Sequence, residues 1–100
     1  MIFSEEIIRE RLRDVIDPEL HINIVDLGLI YGIEIDGDSV RVTYTLTSPG
    51  CPLGPYIAAE INEAVRDIPG VRNVELDLTF TPHWEPTMAS EDARMEMGIW

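Results

Sequence analysis

The chain has 100 residues, 45% of them hydrophobic, and a mean hydropathy close to zero. That composition predicts one folded domain over residues 1–100 and excludes a disordered chain. Seven arginines, no lysine and 19 acidic residues give a net charge of −12, which argues against nucleic acid and anionic membrane as partners.

No apolar run approaches the roughly 20 residues of a membrane span, and no basic leader opens the chain, so a cytoplasmic location is expected. One cysteine, Cys51, excludes an internal disulfide framework and the multi-thiolate zinc sites. Thiol chemistry must run through Cys51 alone, or through two copies of it.

Ser4 is a candidate N-cap, with Glu5 and Glu6 in the first turn where the helix dipole favours anions. Ile8, Leu12 and Val15 recur at helical spacing beside Ile16, predicting an amphipathic helix over 4–16. Asp17-Pro18 stops it, because the residue before proline is pushed out of the helical region. Residues 17–26 read as an ordered loop. Strands are predicted over Leu27–Asp36 and Val40–Thr47, joined by the hairpin signal Asp36-Gly37-Asp38. The first is apolar on both faces at Leu29, Ile30 and Tyr31, which predicts a central position in the sheet.

Ile57, Ile61, Ala64, Val65 and Ile68 predict a second helix from about Leu53 to Asp67, ended by Pro69-Gly70. Val74, Leu76, Leu78 and Phe80 alternate with polar residues in a third strand with one wet face. An irregular stretch, Thr81 to Pro86, leads to a short helix over Ser90–Met97 with Gly98 after its end. The fold class is therefore α+β, two-layered, in the order α-β-β-α-β-α, with helices on one face of a small three-stranded sheet.

The most unusual stretch is Thr45-Leu46-Thr47-Ser48-Pro49-Gly50-Cys51-Pro52. Pro52 suits the first position of the second helix, which would set Cys51 at the helix N-terminus, where a thiolate is stabilised. A small buried cysteine is the competing reading. Asp17 and Glu19 are either turn residues of their loop or carboxylates lining one cleft with Cys51, and Asp26 stands at the mouth of the first strand. His21 and His83 are candidate bases or metal ligands, though neither has a partner at motif spacing. Trp84 and Trp100 read as anchors of the fold, and Met88, Met95 and Met97 as closing the core or an oligomer contact.

Four segments occur together in register: Asp17-Pro18-Glu19-Leu20; Asn23 through Tyr31; Thr45 through Leu53; and Trp84-Glu85-Pro86 with Ser90-Glu91-Asp92-Ala93-Arg94 and Gly98-Ile99. In these the chain resembles the metal–sulfur cluster assembly factors, a domain shared by bacterial SufT and PaaD and by eukaryotic cytosolic iron–sulfur targeting proteins. The resemblance implies the iron–sulfur cluster assembly domain fold and a non-catalytic role as carrier or client-targeting adaptor. It makes Cys51 the key functional residue and the candidate metal or cluster ligand, with Thr47, Ser48, Asp17 and Glu19 lining its cleft. His21 stands where small or apolar residues are common in that family.

The expected function is an accessory role in iron–sulfur cluster assembly or delivery, with a cluster bound transiently. The partners are the assembly machinery and apo-client proteins. A single thiolate cannot satisfy a cluster that usually takes four ligands, so a homodimer is expected, built in part on apolar area at Ile30 beside Gly32. Three alternatives stand beside this reading. One is a PaaD-like maturation factor for a ring-oxidising multicomponent oxygenase. Another is a Cys51-dependent hydrolase or redox enzyme with His21 or His83 as base. The third is an interaction module in which Cys51 is structural.

Overall fold

The computed structural model describes residues 3–47 and 53–98. Helix α1 spans Glu5–Leu12, and the Ser4 hydroxyl caps it by accepting the Ile7 amide at 3.3 Å. Ile8 and Leu12, one turn apart, are fully buried. The helix stops four residues short of the expected Ile16, for a local reason. The Asp14 and Val15 amides reach back only three residues, to Arg11 and Leu12, which tightens and ends the spiral. Ile16 then leaves to bridge Asn23 in antiparallel fashion and closes the base of the following loop.

Strands β1 (Ile30–Asp36) and β2 (Ser39–Tyr44) form an antiparallel hairpin whose turn places Gly37 at φ +63°. Strand β3 (Asn73–Leu78) pairs parallel with β2, so the order is β1-β2-β3 and β2 is the central strand. This corrects the expectation that the first strand is central. The misleading feature is a β-bulge at Tyr31, where the register passes from Ile30↔Tyr44 directly to Gly32↔Thr43.

The bulge turns Ile30 onto the same face as Ile33 and Ile35, opposite Tyr44, Val42 and Val40. Leu29, just before the strand, is buried in the core as well. The apolar run therefore reflects a phase change along one edge strand and not two covered faces. Ile30 faces the core at 8% exposure, so it supplies no apolar ground for a dimer on the outer face.

Helix α2 (Gly54–Arg66) makes the crossover that a parallel β2–β3 pair requires. Its buried stripe, Ile57, Ile61 and Val65, joins Ile8 and Leu12 of α1 and the inner face of the sheet in one core. Each fully buried aliphatic side chain contributes about 1.5–3 kcal/mol. Both helices thus cover one face, as expected. The other carries Glu34, Arg41, Thr43, Glu75 and Asp77, alternating with the core residues along their strands. After β3 comes a single 3₁₀ turn over Pro86–Met88, then helix α3 (Glu91–Glu96), capped by Ser90 and followed by Gly98 at φ +80°. Among the described residues no helix is long and apolar enough to cross a membrane.

Candidate functional site

The loop after α1 is organised by one side chain. Asp17 is 2% exposed, and its Oδ1 accepts the amides of Glu19 at 2.8 Å and Leu20 at 3.1 Å. Its own amide donates to the Ile22 carbonyl at 2.9 Å, while its carbonyl accepts from His21 at 2.7 Å. This closed turn sets His21 at φ +60°, in the left-handed region that glycine adopts most readily and that histidine tolerates better than most other residues. Glu19 and His21 are both exposed.

The stem of this loop is tied to the end of β2. The Ile24 amide donates to Val15 O at 3.0 Å, the Leu29 amide to Ile24 O at 3.0 Å, and the Thr45 amide to Leu29 O at 2.8 Å. These three bonds run from the Asp17 loop to the residue that opens the cysteine-bearing segment. On the far side of that segment, a Cβ placed on Gly54 would lie 3.1 Å from Leu46 Cδ1. Strand end and helix start therefore meet at Leu46 and Gly54. Thr47 is half-buried at the rim.

Ser48, Cys51 and Pro52 lie outside the described residues. Helix α2 has Gly54 as its first residue and Leu53 as N-cap, and the proline in its first turn is Pro55. Pro55 takes the place expected for Pro52, since a missing N–H is tolerated anywhere in a helix's first turn.

Asp26 holds the second motif together. It accepts from Arg13 Nη1 at 2.7 Å and from Asn23 Nδ2 at 2.9 Å, while its amide donates to Asn23 Oδ1. The fourth motif then locks onto the second. Trp84 Nε1 donates to the Leu27 carbonyl at 2.6 Å, and the Ser90 amide to the Asp26 carbonyl at 2.7 Å. The Tyr31 hydroxyl donates to the Pro82 carbonyl at 2.8 Å. Gly28, at φ +79°, lets the backbone at Met88 approach closely. Trp84 is thus an anchor, as expected. The anchoring roles of Leu27, Gly28 and Thr45 escape sequence reading, because each acts through backbone atoms.

Burial pushes the Tyr44 phenol up from its ordinary value, and the Arg41 guanidinium is raised by its hydrogen bond to and charge attraction for Glu75. Neither histidine has a side-chain partner, and no group of three acidic, histidine or cysteine side chains could hold a metal ion, among the described residues.

The matching family model, described as iron–sulfur cluster assembly protein, covers residues 5–76. An Fe–S protein maturation auxiliary factor from Porphyromonas gingivalis is 45% identical, over 96% of this chain and 92% of its own. The maturation auxiliary factor SufT from Staphylococcus aureus is 41% identical, over 85% of this chain and 98% of its own. An iron–sulfur cluster carrier protein from Deinococcus radiodurans is 42% identical over 66% of this chain, a match that occupies 19% of the carrier. The crystal structure of a domain of unknown function from Bacillus anthracis superposes with a TM-score of 0.91 at 33% identity, covering 96% of this chain and 92% of that one.

What the fold and motifs define is a small α+β domain in which the second motif is bonded both to the end of β2 at Thr45 and to the fourth motif at Trp84 and Ser90. The chain belongs to the iron–sulfur cluster assembly protein family, and the resemblance read from its four motifs is borne out.

Proposed function

We propose that this protein is an auxiliary factor in iron–sulfur protein maturation that passes a cluster to apo-clients through Cys51. The relatives' names support the accessory, non-catalytic role, and the carrier's name supports a bound cluster as cargo. The observation that carries the site assignment is the hydrogen-bonded run from Val15 through Ile24 and Leu29 to Thr45. It tethers the Asp17–Glu19 loop to the strand that leads into Thr47, Ser48 and Cys51, so these residues can share one cleft. Thr47, Ser48, Asp17 and Glu19 would shape it, with Pro52 stiffening the chain beside the thiol.

Soft thiolate suits iron. One thiolate leaves the remaining cluster ligands to a second copy, a small thiol or the client. Delivery is then ligand exchange, in which client thiolates displace the Cys51 thiolate with no change in oxidation state. Such partial ligation favours release. The cytoplasm keeps the thiol reduced and available.

Anaerobic reconstitution with iron and sulfide, followed by transfer to an apo-ferredoxin, tests the role. Cys51→Ser should lose at least 90% of transfer while stability changes by no more than about 1–2 kcal/mol. Full transfer by the variant would overturn the assignment. The working form is a homodimer, which doubles the available thiols. With Ile30 in the core, its apolar ground is the exposed Met95 on α3, at 55%. Sedimentation equilibrium at micromolar concentration should give twice the chain mass of 11.3 kDa, and a single species at 11.3 kDa would remove the dimer.

A further inference from the structure

Strand β3 is an edge strand, and among the described residues no strand pairs with its outer side. The Asn73 amide donates to Asp38 O at 3.3 Å and the Thr79 amide to Tyr44 O at 2.9 Å, so residues of that parity point toward β2. Backbone groups alternate along a strand, which turns the N–H and C=O of Val74, Leu76 and Leu78 outward. These three residues pair in register with Val40, Val42 and Tyr44, placing their side chains on the core side. Leu78 is still 44% exposed there.

On the outer face stand Glu75 and Asp77. Glu75 is tied to Arg41 at 3.1 Å. Asp77 makes no hydrogen bond or close ion pair among the described residues, although its charge acts on the Arg41 guanidinium from a distance, and it lines an open groove of about 660 Å³ with Tyr31, Thr43, Thr79 and Pro82. The strip thus offers main-chain donors and acceptors, an apolar row on one side, and on the other a carboxylate that faces the same groove as Tyr31.

A second copy is disfavoured at the three registers centred between Glu75 and Asp77. Antiparallel self-pairing that keeps like faces together, centred on Leu76, sets Glu75 opposite Asp77 twice. Centred on either acid, it sets identical carboxylates opposite each other. Like charges directly across a strand pair are destabilising.

We propose that the outer edge of β3 is a docking strip for an extended segment of a partner protein in which apolar and basic residues alternate. The segment adds a fourth strand. Its apolar side chains lie beside Val74, Leu76 and Leu78, and an arginine or lysine enters the groove against Asp77 and Tyr31. The strip involves neither Cys51 nor a cluster, so its test is independent of the delivery role.

The test uses the full chain and a capped synthetic peptide of alternating valine and arginine. Binding should slow hydrogen exchange at the Val74, Leu76 and Leu78 amides and leave Asn73, Glu75, Asp77 and Thr79 as they were. A peptide of the same composition, with valines and arginines in separate blocks, should lose this protection. Asp77→Asn should weaken the alternating peptide about fivefold, the worth of one half-exposed charge pair, with the same amides still protected. No binding, equal binding of the blocked peptide, or protection without that alternation would overturn the proposal. Concentration-dependent protection of the same amides in the free protein would assign the edge to a second copy and overturn it too.

Discussion

Gly28→Ala should unfold this domain more readily than a methyl group added to Gly32, Gly37, Gly54 or Gly98. Two costs combine at that position. The first is conformational, because an L-residue at φ +79° pays about 1–2 kcal/mol for the left-handed region. The second is steric. The new Cβ would collide with the Met88 carbonyl oxygen and lie 2.9 Å from its carbon, and backbone does not give way as a side-chain tip does. Relief requires the 3₁₀ turn at Pro86–Met88 to lift away, which strains the Trp84–Leu27 hydrogen bond on one side and the Ser90–Asp26 bond on the other. The sum is about 4 kcal/mol, near the top of the range for single substitutions. Thermal melting should fall by roughly 15–30 °C for a domain of this size. Gly37→Ala supplies the control: Gly37 also has positive φ, at +63°, but its Cβ would meet nothing within 4 Å. It should cost only about 1 kcal/mol. Equal melting temperatures for the two variants would show that the close approach at Met88 carries no weight.

This contrast marks what was legible in the sequence. Helix α2 and strand β2 could be read directly, since Ile57, Ile61 and Val65 keep a helical period and Val40, Val42 and Tyr44 a period of two. Strand β1 was misplaced because a bulge shifts the phase of its pattern by one residue, and no residue type announces a bulge at Tyr31. Helix α2 starts at Gly54 and not at the expected Pro52 for a chemical reason: Pro52 and Pro55 are both helix-start signals, and it is Pro55 that stands in the first turn. The four motifs were recognisable as a set. Why they occur together was not, because their union is made by main-chain atoms: Leu27 O to Trp84, Asp26 O to Ser90, Leu29 O to Thr45. A carbonyl has no signature in a sequence. The same limit applied to the Asp17 loop and the end of β2, which among the described residues are joined through the amides of Ile24, Leu29 and Thr45.

Asp17 is where the turn reading and the cleft reading of the site can be separated. Its Oδ1 carries both the Glu19 and the Leu20 amides, and the residue is 2% exposed, so removing that oxygen strands two donors in a closed turn. Hydrogen bonds to a charged acceptor contribute about 1.5–3 kcal/mol each, and partial opening of the turn returns some of that by readmitting water. Asp17→Ala should therefore lose about 3 kcal/mol in urea denaturation. Asp17→Asn keeps a carbonyl oxygen at the same atom and should lose only about 1 kcal/mol, since a neutral acceptor is the weaker of the two. Cluster transfer then decides the role. If Asp17 acts by shaping the loop, the Asn variant should transfer at close to the parent rate, while the Ala variant falls in proportion to its lost fold. If instead the Asn variant is stable and yet inactive, the negative charge itself takes part at the thiol, and the loop geometry is not the whole of its contribution.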